Sequence, residues 1–107
     1  MPQADLSYSA DIAIDATIIL AKIEEVISAY DGNAGECKGR AFALEETHHT
    51  HILLRLRMLR KPHRDDTFMQ GLLTALQTEL RHHIPPPCIL GIELGFLEQH
   101  YGSLRLE

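Results

Sequence analysis

Positive charge is in short supply in this chain: ten lysines and arginines stand against fifteen aspartates and glutamates, for a net charge of −5. Neutralising nucleic-acid phosphates calls for the opposite balance, so no nucleic-acid partner is expected. Cysteine is sparse as well. Cys37 and Cys88 lie far apart with no Cys-x-x-Cys pairing, which argues against a zinc ribbon or a dithiol redox centre and for two packed thiols in a reducing compartment. No uncharged run approaches the roughly 20 apolar residues that a bilayer-spanning helix needs, so no membrane partner is expected. The opening MPQADLSYSAD has neither a basic region nor an apolar stretch of the secretory kind, and a cytoplasmic location is the expectation. Also missing are a glycine-rich phosphate loop, a Gly-x-Ser-x-Gly elbow and a His-Glu-x-x-His zinc motif.

What remains is the composition of one ordinary globular domain, spanning 1–107, with 45% hydrophobic and 23% charged residues. Pro2 to Ser9 alternates, with Pro2, Ala4, Leu6 and Tyr8 on one side and Gln3, Asp5, Ser7 and Ser9 on the other, which predicts a half-buried strand. Asp15 is placed to cap a helix running to about Tyr30, on the stripe Ile19, Ile23, Val26, Ile27 and Tyr30. Asp31-Gly32-Asn33 should end it, with Gly32 in the left-handed conformation. A second strand is expected over Cys37 to Glu45, with Lys38, Arg40, Phe42 and Leu44 on one side and small residues on the other. A third follows a turn at His48 to His51 and runs to about Leu59, its core face being Ile52, Leu54, Leu56 and Met58. Asp65 or Asp66 should cap a second helix rich in leucine, stopped by Pro85-Pro86-Pro87, and Cys88 to Phe96 reads as the last strong strand. The tail Tyr101 to Leu106 is expected to add an edge strand or to reach another subunit.

The order strand, helix, strand, strand, helix, strand makes an α+β fold of two strand-helix-strand units. Right-handed crossovers then put both helices on one face of a four-stranded mixed sheet. The other face would carry Leu53, Arg55, Arg57 and Glu93, a mixture suited to a symmetric oligomer.

Three groups of residues offer chemistry. Removal of Met1 would expose Pro2 as a secondary amine, which is a base when neutral. Arg55, Arg57, Arg60, Lys61 and Arg64 concentrate half of the basic residues in one stretch, either as surface pairs or as a collector of a small dianion. His48, His49 and His51, with His82-His83 further on, suggest a rival reading as a metal-binding module, although no carboxylate stands at fixed ligand spacing.

Taken together, MPQADLSYSAD with Asp15 opening the helix, CKGRAF in the second strand, HTHILLRLRML followed by a basic loop and RDD, and CILGIELGFLEQHY near the end resemble the 5-carboxymethyl-2-hydroxymuconate isomerase branch of the tautomerase superfamily. The resemblance spans nearly the whole chain. It implies a β-α-β-β-α-β subunit assembled as a homotrimer, with active sites near subunit boundaries and no metal or organic cofactor. It also implies a cofactor-independent isomerase of aromatic compound catabolism that moves a proton in a small anionic keto or enol acid. By position, Pro2 matches the catalytic proline, Arg40 an arginine of the second strand, and Arg64 an arginine after the third. Lys38 stands where a further arginine is expected, keeping the charge but losing the planar fork. The alternative within the same fold is a non-catalytic trimer that binds a small anion or a protein partner.

Overall fold

Strand alternation carries directly into space. The computed structural model describes residues 1–107 and begins with β1 (Gln3–Ser9), in which Ala4 and Leu6 are buried while Asp5 is exposed. Helix α1 (Ala16–Tyr30) starts where Asp15 accepts the Ile18 N–H at 3.2 Å, and it buries Ile19, Ile23 and Ile27. Its end differs from expectation. Gly32 does not take a left-handed conformation; Gly35 does, at φ 74°. The turn is closed instead by Asp31, whose Oδ1 accepts the Asn33 N–H at 3.1 Å, a side-chain mimic of a backbone turn.

Strand β2 (Lys38–Leu44) turns its small residues toward α1: a Cβ added to Gly39 would lie 3.0 Å from Leu20 Cδ2. Strand β3 (His51–Met58) follows a turn in which His49 has φ 68°. Helix α2 (Asp66–Leu80) is capped by Asp65, which accepts the Phe68 N–H at 2.9 Å, and buries Leu72, Leu76 and Leu80. A 3-10 turn at Arg81–His83 tightens its end ahead of the prolines, and β4 (Ile89–Phe96) completes the sheet. The helices approach closely because position 71 has no side chain. A Cβ at Gly71 would lie 1.8 Å from the Tyr30 hydroxyl, whose ring meets Phe68 edge-on at 4.9 Å.

The strands lie in the order β2-β1-β3-β4, parallel at both outer pairs and antiparallel at the centre. Both helix stripes share one core with Ala4, Leu6, Ile52, Leu54, Leu56 and Met58. The opposite face stays open, and it is zoned. One row across the sheet alternates in sign, with Arg40, Asp5, Arg55 and Glu93 in register. Rows farther from the chain start are apolar at their edges, where Phe42, Leu44 and Ile89 are exposed. A radius of gyration of 14.1 Å exceeds the roughly 13 Å of a compact chain this long, as expected of a two-layer slab with one side bare. The tail forms no strand. Leu97 N–H donates to the Met58 carbonyl at 2.8 Å, and the segment then runs back across the end of the sheet toward β1 and β2, leaving Leu104 and Leu106 exposed.

Candidate active site

Pro2 heads β1 with its side chain fully buried, and its carbonyl accepts the Lys38 N–H at 2.9 Å. That bond aligns the start of β1 with the start of β2. By strand alternation Pro2 shares the helix-facing side with Ala4 and Leu6, whereas Lys38 and Arg40 stand with Gln3 and Asp5 on the open face. Within one subunit the proline and the cations therefore meet at one end of the sheet but across its two faces.

Arg40 is held from several directions. Its Nη1 and Nη2 both donate to Gln3 Oε1, at 3.1 and 2.8 Å, and Nη2 also donates to the Lys38 carbonyl at 3.1 Å. Nε lies 2.9 Å from Asp5 Oδ1, yet it is buried and not aligned with that oxygen as a hydrogen bond. One N–H of Nη1 thus remains for a further acceptor, while Nε is enclosed beside Asp5. Lys38 pairs with Glu36 at 3.1 Å. Next to it, Cys37 donates its N–H to Glu24 Oε2 at 2.8 Å. Burial, then the Glu24 charge, pushes its thiol up to about 11, against the opposing pull of Arg40 and the terminal amine. A neutral thiol therefore borders the head of β1.

Arg64 has a different task from the one expected. It is buried, donates from Nε and Nη2 to Asp31 Oδ2 at 3.0 and 2.9 Å, and donates from Nη1 to the Leu59 carbonyl at 2.6 Å. His63 Nε2 joins the same Asp31 oxygen at 3.0 Å. Burial raises the Asp31 carboxyl, but the bonds from His63, Arg64 and the Asn33 N–H outweigh it and lower the group to about 2. Arg64 is an internal tie between the end of α1 and the loop before α2. It is neither the surface side chain nor the carboxylate anchor that its position suggests.

The remaining basic residues separate too. Arg55 pairs with Glu93 at 3.0 Å, and Arg60 lies 4.1 Å over the Phe96 ring, so the stretch from Arg55 to Arg64 is not one anion collector. Nor do the histidines converge. The rings of His48 and His49 are tilted against each other at 4.1 Å, His51 Nδ1 sits 2.9 Å from the His49 carbonyl, and no three metal-ligating side chains come together. A cleft of about 680 Å³ between Arg81, Ile84, Pro85 and Leu90 lies at the start of β4, the opposite end of the sheet from Pro2. Gln3, Asp5, Glu36 and Tyr101 were invisible as site residues because only the β1 to β2 register and the returning tail bring them to Arg40 and Lys38.

No family model matches the sequence, and no curated protein is recognisably similar to it. Solved structures are. A 5-carboxymethyl-2-hydroxymuconate delta-isomerase superposes with a TM-score of 0.75 at 13% identity, over 98% of this chain and 88% of that one. A 5-carboxymethyl-2-hydroxymuconate isomerase from Deinococcus radiodurans R1 gives 0.67 at 17% identity, over 99% and 90%. A fused 4-OT symmetric trimer gives 0.72 at 14% identity, over 95% and 93%. With its strand order, paired helices and Pro2 at the head of the first strand, the chain thus has the tautomerase fold, in the form of the 5-carboxymethyl-2-hydroxymuconate isomerase structures it resembles.

Proposed function

We propose that this chain is a cofactor-independent isomerase that moves a proton in a small unsaturated keto or enol carboxylate, with Pro2 as general base once Met1 is removed. The observation that carries this reading is a fully buried proline at the head of β1, beside the cation-bearing start of β2. The likeness to two 5-carboxymethyl-2-hydroxymuconate isomerase structures points the same way.

An ordinary terminal amine has a pKa of roughly 7.7–8.0, and burial lowers it by disfavouring the ammonium form. The neutral imino nitrogen would take the proton from the enol hydroxyl, or in a keto substrate from the carbon next to the carbonyl, leaving a dienolate, and return it to a carbon of that dienolate. Arg40 and Lys38 would bind the substrate carboxylate and offset the negative charge on the dienolate oxygen. Because these cations stand on the open face, they would serve a site completed between subunits of a homotrimer. Arg64, spent on Asp31, would support that site only through the fold.

Turnover of 2-hydroxymuconate and phenylenolpyruvate, followed by ultraviolet absorbance and proton NMR on protein shown by intact mass to lack Met1, tests the reading. Ketonisation is expected, with Pro2→Ala slower by at least about 100-fold, the usual share of a general base. No turnover, or a Pro2→Ala variant as fast as the parent, overturns it. A non-catalytic trimer of the same fold that binds a small anion or a protein partner is the second reading, favoured over catalysis by one specific observation: most of the Arg40 donors are spent on Gln3 and Lys38, which leaves few to orient a reacting substrate. Retention of Met1 in protein from its natural host supports this second reading, since an amide nitrogen has no basicity.

A further inference from the structure

We infer that the C-terminal segment after β4 is a strap that fixes the orientation of Arg40 through Gln3, with Tyr101 as the positioning residue. Its bearing on substrate affinity rests on the isomerase reading above; the positioning itself does not.

Two contacts tie the strap to the start of the sheet. Tyr101 Oη accepts from Gln3 Nε2 at 2.9 Å, across 98 residues of sequence, and Arg105 reaches within 3.7 Å of Glu36, the partner of Lys38. The first contact is the decisive one. A glutamine amide has a donor end and an acceptor end, and its rotation about the last bond costs little when neither end is held. With Nε2 engaged by the Tyr101 hydroxyl, Oε1 must point the other way, and there it receives both terminal nitrogens of Arg40. That two-pronged grip turns the fork of Arg40 so that Nε lies against Asp5 and one Nη1 proton is left outward. The tail therefore sets the direction in which Arg40 offers its remaining Nη1 N–H to a carboxylate. Removing the hydroxyl leaves the Gln3 amide held at its acceptor end alone, so it is less firmly fixed, and any flip replaces an acceptor facing Arg40 by a donor.

Lost order of this kind reads mainly as binding, not as chemistry. Tyr101→Phe removes one oxygen and leaves the ring, so its fold is expected to be intact by thermal melting. In nitrogen-15 spectra the Gln3 side-chain amide and the Arg40 Nε–H are expected to shift and to exchange with water several-fold faster than in the parent. In turnover, KM is expected to rise about 3–10-fold, the worth of one hydrogen bond, with kcat within about two-fold and Tyr101→His restoring part of the loss through its ring nitrogen. Unchanged Gln3 and Arg40 signals in Tyr101→Phe overturn the inference, whether or not the parent protein is active. So does a fall in kcat at unchanged KM. If the signals change while the parent turns nothing over, the isomerase reading falls and the strap stands.

Discussion

Asp5 is the residue that limits what Arg40 can do. It stands 2.9 Å from the guanidinium on the open face, with its side chain about half exposed, so it offsets part of the charge that an incoming carboxylate would feel. Asp5→Asn keeps the shape and removes the competing anion. Affinity for a small dicarboxylate such as glutarate, measured by calorimetry, is expected to rise by about 1.5–5-fold, the modest worth of an exposed pair. Weaker or unchanged binding would mean that Asp5 orients Arg40 more than it competes for it. At the same scale, Cys37 is not a nucleophile in waiting: burial and Glu24 keep its thiol neutral beside the head of β1.

Among the elements, the junction of α1 with the loop before α2 depends on one buried pair. Asp31 and Arg64 are both almost fully buried, and the carboxyl sits at about 2 instead of its ordinary 3.8. A depressed acid stabilises the fold in its charged form, so this contribution is complete above about pH 4 and fades as pH falls toward 2. It amounts to about 2 kcal/mol by linkage. Urea midpoints at pH 7, 4 and 2 should show a clear loss between the last two. Arg64→Ala should cost about 3–5 kcal/mol at pH 7, because it strands a buried charge, and should flatten the acid limb. An acid limb as steep in Arg64→Ala as in the parent would show that other carboxylates carry it. Close packing at Gly71 under Tyr30 belongs to the same junction, since the hydroxyl occupies the space a methyl group would need.

As a whole, the molecule is a slab of 38 × 35 × 22 Å with only 18 of its 107 residues buried, too few for a sheet that means to stay bare on one side. Its open face is zoned into a charged row near Pro2 and an apolar region around Phe42, Leu44 and Ile89. Apolar groups at such exposure favour self-association, and the proposed trimer would cover them while closing the Pro2 end between subunits. Light scattering coupled to gel filtration is expected to give three times the chain mass of 12.1 kDa. Phe42→Glu, which introduces a charge where Phe42 is 46% exposed, is expected to shift the protein toward monomer while it remains folded. A monomeric parent would overturn the trimer, and a trimer indifferent to Phe42→Glu would place its contact elsewhere.

How much of this was legible in one dimension follows from the range of each interaction. Asp15 and Asp65 cap helices through bonds three residues long, and the stripes Ile19, Ile23, Ile27 and Leu72, Leu76, Leu80 follow from helical repeat alone, so order, type and core face of the elements could be read directly. Local periodicity also assigned Arg55, Arg57 and Glu93 to the uncovered side of the sheet, whereas strand register showed that Arg40 and Asp5 stand in the same row as Arg55 and Glu93. Partnership could not be read in this way. Arg64 and Asp31 are 33 positions apart, Arg40 and Gln3 37, Tyr101 and Gln3 98, and nothing in their spacing says which cation is consumed internally and which is left for a ligand. Strand register and the path of the tail decided that, because an ion pair or a hydrogen bond acts over about 3 Å of space and is indifferent to distance along the chain.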